Sequence, residues 1–357
     1  MSRRVYLHIG APKTGTTYLQ DRLALNVKSL ADHGIHVPTK SPLVSPGLFH
    51  FRAALDLLDQ DWGGRPGHAR GSWDQLVRKV RRLDGTVVIS HEILAPATPA
   101  KVAKAKQDLR GAELHIVYSA RDLGRQLPAA WQESIKQGRK WSYKRYLNRI
   151  ENRRPWFARA FDLPAVLSTW GAGLAPEQVH VVTVPHERSD ALWLRFCQAF
   201  GIDPAWAPED STRTNQSLGV AETQLIRQLN RRMDRVTRRE TSFDELIRGM
   251  LAEDRLVQRN SAPLLLPPRM HPWAKAEADR WIDWLKGSGV DVIGELDDLY
   301  PAPPVAEEDW IDPDRVGAKK QLAAALDALT AMTREAARRP DPDEALVNRL
   351  RRATRRG

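Results

Sequence analysis

Residues 7–20 of the chain read LHIGAPKTGTTYLQ, and this stretch decides the fold. Its first residues are apolar, the turn that follows contains Gly10 and Gly15, and a helical pattern begins near Thr16. Glycines allow the backbone N–H groups of such a turn to face inward around an anion. The N-terminus of the new helix adds its own N–H groups and the positive end of its dipole. The stretch therefore predicts a strand, a phosphate-binding loop and a helix.

The position of the lysine distinguishes this loop from that of the nucleotide triphosphatases. Their loop has the pattern Gly-x-x-x-x-Gly-Lys-Ser/Thr. Here Thr16 follows Gly15, and Lys13 precedes that glycine by two residues. We therefore expect Lys13 at the crown of the loop, within reach of an oxygen of a two-unit anion, with the hydroxyls of Thr16 and Thr17 donating to the same anion. The alternative is a glycine-rich turn that binds no ligand.

The rest of the chain predicts an α/β fold. Four apolar segments are typical of strands: 5–9, 86–89, 114–118 and 179–184. Helical patterns separate them at 17–33, 73–83, 99–109 and 124–138. Strands that alternate with helices indicate a central parallel sheet covered by helices on both faces.

The chain is expected to contain one large domain and an extension. Residues 1–300 form the α/β domain, with a lid or substrate loop at about 41–72 and a helical section at about 218–290. Residues 301–357 form a basic helical C-terminal extension. Long loops rich in glycine and proline are often lids, although a variable surface excursion is the alternative at 41–72.

Composition favours a soluble cytoplasmic protein. The 357 residues include 55 Lys and Arg against 44 Asp and Glu, which gives a net charge of +11. A hydrophobic fraction of 42% excludes the disordered and collagen-like classes. The single cysteine, Cys197, forms no intrachain disulfide and is expected to be a buried packing residue in a reducing compartment. No signal peptide and no apolar run of about 20 residues is evident.

Two later strand ends carry candidate functional groups. Arg121 follows the segment 114–118, and an arginine at the carboxyl end of a parallel strand faces the ligand crevice, where its guanidinium suits phosphate. The alternative is that Arg121 pairs with Asp122 or caps a helix. Glu92 and His91 follow the segment 86–89, and either could remove a proton from an acceptor.

The base at this strand end has further alternatives. Ser90 could cap the next helix while Glu92 favours its dipole, without any catalytic role. His50, in the segment 41–72, is an outside candidate for the base.

The loop resembles a known family. Residues 10–17, GAPKTGTT, resemble the 5′-phosphosulfate loop of sulfotransferases that use 3′-phosphoadenosine-5′-phosphosulfate (PAPS). The flanking pairs His8-Ile9 and Leu19-Gln20 resemble the bacterial branch in particular. The resemblance implies a P-loop sulfotransferase-like fold over roughly residues 3–290. It implies that the donor is bound by Pro12, Lys13, Thr14, Gly15, Thr16 and Thr17.

Other matches to the family are partial. The segment 116–123 resembles its second motif, which implies that Arg121 binds the 3′-phosphate of the donor; the serine common eight residues later is Ala129 here. Residues 215–218, NQSL, resemble a short motif in which Asn215 and Ser217 could reach the donor, although a helix cap at Ser217 explains them equally well.

The resemblance implies a reaction. A sulfotransferase of this kind moves a sulfuryl group from PAPS to a hydroxyl or amine of a small molecule, glycan or glycolipid, and releases adenosine 3′,5′-bisphosphate without a metal. Lys13 would stabilise the leaving phosphate, and Glu92 or His91 would be the base. Neither the acceptor nor the oligomeric state follows from the sequence.

Two other functions remain as alternatives. A P-loop kinase or hydrolase would need a lysine after Gly15 and a strand-end acid for magnesium, for which Asp122 is the one tempting residue. A non-enzymatic basic protein would bind anions through the tail from Arg334 to Arg356, which has eight arginines against four acids. We expect no nucleic-acid partner, but such a tail could bring an enzyme to the surface of an anionic membrane.

Overall fold

The computed structural model describes residues 3–152, 156–187, 189–211, 217–239, 241–259 and 261–339. The chain divides into two compact units. Unit 1 consists of residues 1–131, 142–215 and 265–310. Unit 2 consists of residues 132–141, 216–264 and 311–357.

Within its described residues, unit 1 contains a six-stranded parallel sheet. The strands are β1 (Arg4–Gly10), β2 (Ile35–His36), β3 (Thr86–Ser90), β4 (Glu113–Ala120), β5 (Val179–Thr183) and β6 (Asp291–Ile293). Their order across the sheet is β2-β3-β1-β4-β5-β6. In the register, Leu7 of β1 lies opposite Ile89 of β3 and Ile116 of β4. The predicted α/β class with a central parallel sheet is confirmed.

Helices follow most of the strands. In chain order they are α1 (Thr16–Leu25), α2 (Val27–Asp32), α3 (Pro46–Leu57), α4 (Ser72–Val80), α5 (Pro99–Asp108), α6 (Leu123–Lys136), α7 (Tyr143–Glu151), α8 (Trp156–Phe161), α9 (Leu163–Gly171), α10 (Ala191–Phe200), α11 (Val220–Arg232), α12 (Thr241–Phe243), α13 (His271–Ser288) and α14 (Ala318–Arg338). A π-helical segment, Asp244–Arg255, continues α12. Helices α11, α12 and α14 belong to unit 2, which also takes the last residues of α6.

The core of unit 1 surrounds the sheet. All residues of β1 after Arg4 are buried, because helices cover both faces of a parallel sheet. On one side, Leu19 and Leu23 of α1 join Phe196 and Phe200 of α10 in a single apolar cluster with the strands. Burial of this kind contributes roughly 1.5–3 kcal/mol for each large apolar side chain.

Two departures from the sequence-based prediction concern the first helix and the outer strands. The helix predicted over 17–33 is split at Asn26, whose side-chain N–H group donates to the carbonyl of Arg22 and also to that of Glu209, so that it competes with the helical bonds. Strands β2 and β6 were not predicted, because segments of two and three residues are too short to show a periodic pattern.

The topology brings the carboxyl ends of the strands to one edge of the sheet. The chain passes from β1 to β2 and β3 on one side, and then to β4, β5 and β6 on the other. In open parallel sheets, ligands bind beyond the carboxyl ends of the strands where the order reverses. The residues that follow β1, β3 and β4 meet at this edge.

Unit 2 has a core of its own. Val220 and Ala221 of α11 pack with Val316 and with Ala324 of α14. The buried carboxylate of Glu222 accepts hydrogen bonds from Arg259 and Ser261, which offset the cost of removing its charge from water. Among the described residues of both units, no helix combines the length and the apolar composition needed to cross a membrane.

Candidate active site

The loop between β1 and α1 is a tight turn with three residues at positive φ. The φ angles are 120° at Gly10, 67° at Lys13 and 91° at Gly15. Gly15 also has a close neighbour, since a Cβ atom there would lie 2.7 Å from Cδ2 of Leu192. Left-handed residues within a turn direct successive N–H groups to one side and form a concavity that suits an anion. The glycines permit this backbone without the strain that a side chain would add.

Side chains beneath the turn form what we term the loop floor: His8, Thr14 and Ser119, all fully buried. The Thr14 hydroxyl donates to the Ala11 carbonyl and contacts the Ser119 hydroxyl. Ser119 Oγ in turn donates to the Gly10 carbonyl over 3.1 Å and lies 3.2 Å from Nε2 of His8. The predicted donor-binding residue Thr14 therefore has its hydroxyl in the floor, and only its backbone N–H remains for a bound anion.

The start of α1 supplies further donors. No described side chain caps the helix at Gly15, and its first turn carries no acidic residue. The N–H groups of a first helical turn have no acceptor within the helix. Thr17 is exposed whereas Thr16 is buried, so the Thr17 hydroxyl is the better placed of the two for a ligand. Pro12 has no N–H, and its carbonyl accepts a 2.8 Å hydrogen bond from Gln126, which fixes the crown of the turn.

Arg121 comes directly after β4 and contacts the loop. Its Nη1 donates to the Lys13 carbonyl over 2.9 Å. The neighbouring Asp122 is fully buried, and its carboxylate accepts bonds from the backbone N–H and from Nε of Arg125. The acid beside Arg121 is thus committed to a different arginine. The structure therefore brings the Arg121 guanidinium to the backbone of Lys13 on the loop.

Glu92 comes directly after the end of β3 and packs against the start of the loop. A Cβ atom at Gly10 would lie 3.1 Å from the Glu92 carbonyl oxygen, so a glycine is needed for this approach. Gln20 of α1 links the same elements, because its Nε2 donates to the Ser90 carbonyl over 3.1 Å and reaches Oε2 of Glu92 at 3.5 Å. The Glu92 side chain is 27% exposed, so part of it reaches solvent.

His91 has a structural bond that fixes its ring. Its Nδ1 accepts a hydrogen bond from the Ile93 N–H over 3.3 Å and so caps the short 3₁₀ turn Glu92–Leu94. This bond assigns the proton of the neutral ring to Nε2. Burial lowers the pKa of His91, an effect that the adjacent Glu92 carboxylate opposes. His91 is therefore neutral at physiological pH, with its Nδ1 lone pair already engaged.

Two more histidines lie buried beneath the end of β3. Nδ1 of His50 accepts from the Ser90 N–H over 3.3 Å, and Nδ1 of His8 lies 2.7 Å from the Ser90 hydroxyl. Burial, with a smaller contribution from nearby His91, lowers the pKa of His8 to about 3 and that of His50 to about 4. His50, an outside candidate for the base, is thus a neutral and fully enclosed ring.

The predicted lid segment, residues 41–72, contributes α3 to the wall of this site. Ser45 caps α3 by accepting from the Leu48 N–H over 3.3 Å. The helix carries His50 and, next to it, Phe51, whose ring stacks on that of His91 at a centroid distance of 5.1 Å. The segment therefore lies directly against the end of β3.

The remaining predicted residues belong to other segments of the chain. Ser217 is an exposed residue of unit 2, and Asn215 lies outside the described residues, as does the tail beyond Arg339. Ala129 is a partly buried residue of α6. In the described part of the chain, no group of three or more His, Cys, Asp or Glu side chains has an arrangement that could hold a metal.

Three residues of the site had no role assigned from the sequence: His8, Gln20 and Ser119. His8 and Gln20 are within the stretch 7–20, but nothing local marks them as partners of Ser90. Ser119 is one residue of an apolar strand. Their roles arise from the pairing of β1 with β3 and β4, which the sequence does not specify residue by residue.

The whole arrangement can bind an anion beside a proton acceptor. Backbone N–H groups, Lys13 and Arg121 supply positive potential at the carboxyl ends of β1 and β4. Glu92 supplies a carboxylate at the end of the adjacent β3. Fixed donors of this kind stabilise negative charge that develops during a reaction.

Comparisons with known proteins add no relative to this picture. No family model matches the chain, and neither a curated protein nor a solved structure does. The chemistry of the site therefore rests on its own residues.

Proposed function

We propose that the chain is a sulfotransferase that moves a sulfuryl group from PAPS to a hydroxyl or amine of a small-molecule or carbohydrate acceptor. One observation carries this proposal. Arg121 contacts Lys13 on a phosphate loop whose first residue, Gly10, packs against Glu92. Such a reaction needs a site that holds a polyanionic donor and a base that removes the acceptor proton. Residues suited to these two tasks lie next to each other here.

The loop, with Lys13 and the nearby Arg121, suits the donor. The phosphosulfate would accept hydrogen bonds from the loop N–H groups, from the start of α1 and from Thr17. Lys13 would add a point charge at the crown. The guanidinium of Arg121, at the end of β4, is planar and can donate two parallel hydrogen bonds to a phosphate. We therefore assign Arg121 to the 3′-phosphate of the donor.

Glu92 is the better candidate for the base. A histidine removes a proton through a ring nitrogen that carries none. In His91 that nitrogen is Nδ1, which already accepts from the Ile93 N–H. Glu92 has a partly exposed carboxylate with Gln20 at 3.5 Å from Oε2. We therefore assign the proton acceptor to Glu92 and a positioning role to His91.

The proposed step is an in-line displacement at sulfur. The acceptor oxygen or nitrogen forms a bond to sulfur while the bond from sulfur to the bridging oxygen breaks. The electron pair of the broken bond stays on the oxygen of the departing phosphate, and the acceptor proton passes to Glu92. Lys13 and the loop N–H groups stabilise the charge on that oxygen. As in phosphoryl transfer, positioning and electrostatics would supply most of the catalysis.

Phosphoryl transfer from Mg-ATP is the alternative reaction that an experiment must distinguish from sulfuryl transfer. Two observations weigh against it. Thr16 occupies the position of the usual lysine after Gly15. The carboxylate of Asp122, the one tempting magnesium ligand, is buried and bonded to Arg125.

Titration calorimetry on the whole chain tests the proposal without an acceptor. The ligands are adenosine 3′,5′-bisphosphate, adenosine 5′-monophosphate and Mg-ATP. We expect the bisphosphate to bind most tightly and without metal. In Arg121→Ala, the preference for the bisphosphate over the monophosphate should fall by about 10–100-fold, since a hydrogen bond to a charged group contributes about 1.5–3 kcal/mol. Arg110→Ala, an exposed arginine after α5, is the matched control.

The monophosphate separates two roles of Arg121. Because Arg121 also donates to the Lys13 carbonyl, its loss can disturb the loop itself. That effect would weaken both adenosine ligands equally and leave their ratio unchanged, which would refute the assignment to the 3′-phosphate. A preference of the wild type for Mg-ATP would refute the proposed reaction.

A further inference from the structure

We propose that Trp62 is the acceptor platform of this site and that the acceptor is a glycoside whose sugar ring stacks on the indole. This inference rests on the proposed function and names its substrate class. Three aromatic rings contact one another in a continuous series. Phe51 stacks on His91 at 5.1 Å and 29°, and Trp62 meets the Phe51 ring at 5.1 Å and 64°. The series leads from the residue beside Glu92 to the surface.

Trp62 is exposed at this surface but held in place. The residue is 45% exposed, although its indole offers one of the largest apolar areas that a residue can bury. Its Nε1 donates to Oε1 of Gln60 over 2.8 Å, and its ring meets Phe51 at an angle typical of edge-to-face pairs. An ordered indole with an uncovered surface is characteristic of aromatic residues that bind ligands.

The loop around Trp62 is tied to itself. The Gly67 N–H donates to Oδ2 of Asp61 over 2.9 Å, and Nε2 of His68 lies 3.1 Å from the Trp62 carbonyl. Gly63 lies against Phe51, since a Cβ atom there would be 3.1 Å from Cζ of that ring. The platform therefore exists before an acceptor arrives, which reduces the entropy cost of binding.

The surroundings of the indole favour a sugar over a flat aromatic acceptor. A pyranose has an apolar face of C–H groups, which the electron-rich face of an indole attracts, and a rim of hydroxyls. Polar groups stand next to Trp62 on the same loop: Gln60, Asp61 and His68. Each of these side chains uses one polar atom within the loop, and the other polar atoms can bond to a rim of hydroxyls, which a flat aromatic acceptor lacks.

The test is acceptor binding to the complex of the whole chain with adenosine 3′,5′-bisphosphate. The probes are the methyl glycosides of glucose, galactose, mannose and N-acetylglucosamine, with 2-naphthol as the aromatic comparison. We expect at least one glycoside to bind and its Kd to rise by about tenfold in Trp62→Ala, the upper range for one aromatic contact. Trp62→Phe should fall between. Trp310→Ala, which removes a partly exposed tryptophan of the same unit, should leave the Kd unchanged.

Each outcome decides the proposal. If no glycoside binds, if Trp62→Ala binds the glycoside as tightly as the wild type, or if only 2-naphthol depends on Trp62, the platform or its substrate class is wrong. Failure of the proposed function looks different, because the chain would then prefer Mg-ATP or would not bind adenosine 3′,5′-bisphosphate. The glycosides can be titrated into the chain alone in that case, and dependence on Trp62 would still support the platform.

Discussion

Buried histidines occur at both ends of the sheet, and they differ in what they bond to. At the carboxyl ends, His8, His50 and His91 bond to hydroxyl groups or backbone N–H groups. At the amino ends, His115 of β4 and His180 of β5 form a chain between two carboxylates, those of Glu113 and Asp291. Both sets are largely withdrawn from water, so burial alone does not separate them.

The bonding partners separate the two sets. The amino-end chain, Glu113–His115–His180–Asp291, has contacts of 3.0, 2.8 and 2.7 Å. Its two carboxylates accept hydrogen bonds, so the ring nitrogens of His115 and His180 supply the hydrogens of the chain. Burial lowers the pKa of His115, and its contact with Glu113 opposes that effect. The hydrogen bonds named above for the carboxyl-end histidines include no carboxylate.

The comparison shows that burial alone does not fix the role of a ring, because the bonding partners at the two ends differ. Neutral histidines at the carboxyl ends leave the positive charge of that edge to Lys13 and Arg121, which could bind an anion there. At the amino ends the two rings and the two carboxylates bond to one another in a closed chain. Substitutions at the two ends should therefore affect different quantities.

The largest expected effect belongs to Glu92. We expect Glu92→Gln to lower the rate of sulfuryl transfer by about 10²–10⁴-fold, since an amide cannot accept the acceptor proton. The affinity for adenosine 3′,5′-bisphosphate should stay unchanged. The measurement is the initial rate with the glycoside that supports the fastest transfer. Glu113→Gln, the equivalent change at the amino end, is the control and should keep the rate.

A variant of His91 gives the result that would contradict the assignment of the base to Glu92. His91→Asn can still accept from the Ile93 N–H but has no ring nitrogen to take a proton. A nearly normal rate in Glu92→Gln together with a lost rate in His91→Asn would transfer the base to His91 and contradict the tautomer inferred from the cap.

A smaller loss is expected for Lys13. Lys13→Ala removes a cation beside the leaving phosphate, and the loss of one such donor costs about 10²–10³-fold in turnover. The midpoint of thermal unfolding should not change. Lys106→Ala is the matched control, because that lysine donates to the Ala172 carbonyl. A normal rate in Lys13→Ala would remove Lys13 from the mechanism.

The carboxyl-end histidines should make the fold sensitive to acid. The pKa of His50 is lowered to about 4 from an unfolded value of 6.5, so the unfolded chain binds the proton more readily. Stability from this group is complete above 6.5 and falls as the pH drops toward the folded pKa. Between about pH 7.5 and about pH 5.5, His50 alone should cost about 1.4 kcal/mol.

Urea unfolding of His50→Gln at the two pH values measures that contribution. The variant should lose about 1.4 kcal/mol less than the wild type over this interval. Equal losses in the two proteins would mean that His50 titrates in the folded state as it does in the unfolded state, and the contrast with the amino-end chain would weaken.

The smallest effect is expected at the amino end. Asp291→Asn replaces the charged acceptor of His180 Nδ1 with a neutral one, on a side chain that is 45% exposed. We expect a loss of about 1 kcal/mol in the free energy of unfolding at neutral pH. Asp283→Asn, an exposed aspartate of α13, should be neutral. An unchanged stability in Asp291→Asn would mean that the bond between Asp291 and His180 does not stabilise the fold.

Much of the fold follows from local sequence patterns. The apolar runs that became β1, β3, β4 and β5 are long enough to indicate strands, and the glycines of the loop need their positive φ angles. The positions of Lys13, Arg121 and Glu92 at strand ends also follow, because parallel topology brings such ends to one edge.

The remaining features depend on contacts between distant segments. The Thr14 hydroxyl joins the loop floor, and Nδ1 of His91 caps a turn. Both contacts depend on side-chain orientation, which residue type alone does not determine. The ring series joins His91 to Phe51 and Trp62 of the segment 41–72. No periodic pattern reports such pairings, so tertiary packing alone determines them.

The loop floor has a consequence for protein engineering. Residues 10–17 look like a portable motif that could be moved into another parallel sheet. In this molecule, however, Ser119 of β4 supports the Gly10 carbonyl, and His8 connects Ser119 to Ser90 of β3. A graft of the eight residues alone would keep the glycines but lose their foundation. A working transplant would have to carry residues from three strands, so the smallest portable unit is a patch of sheet rather than a segment of chain.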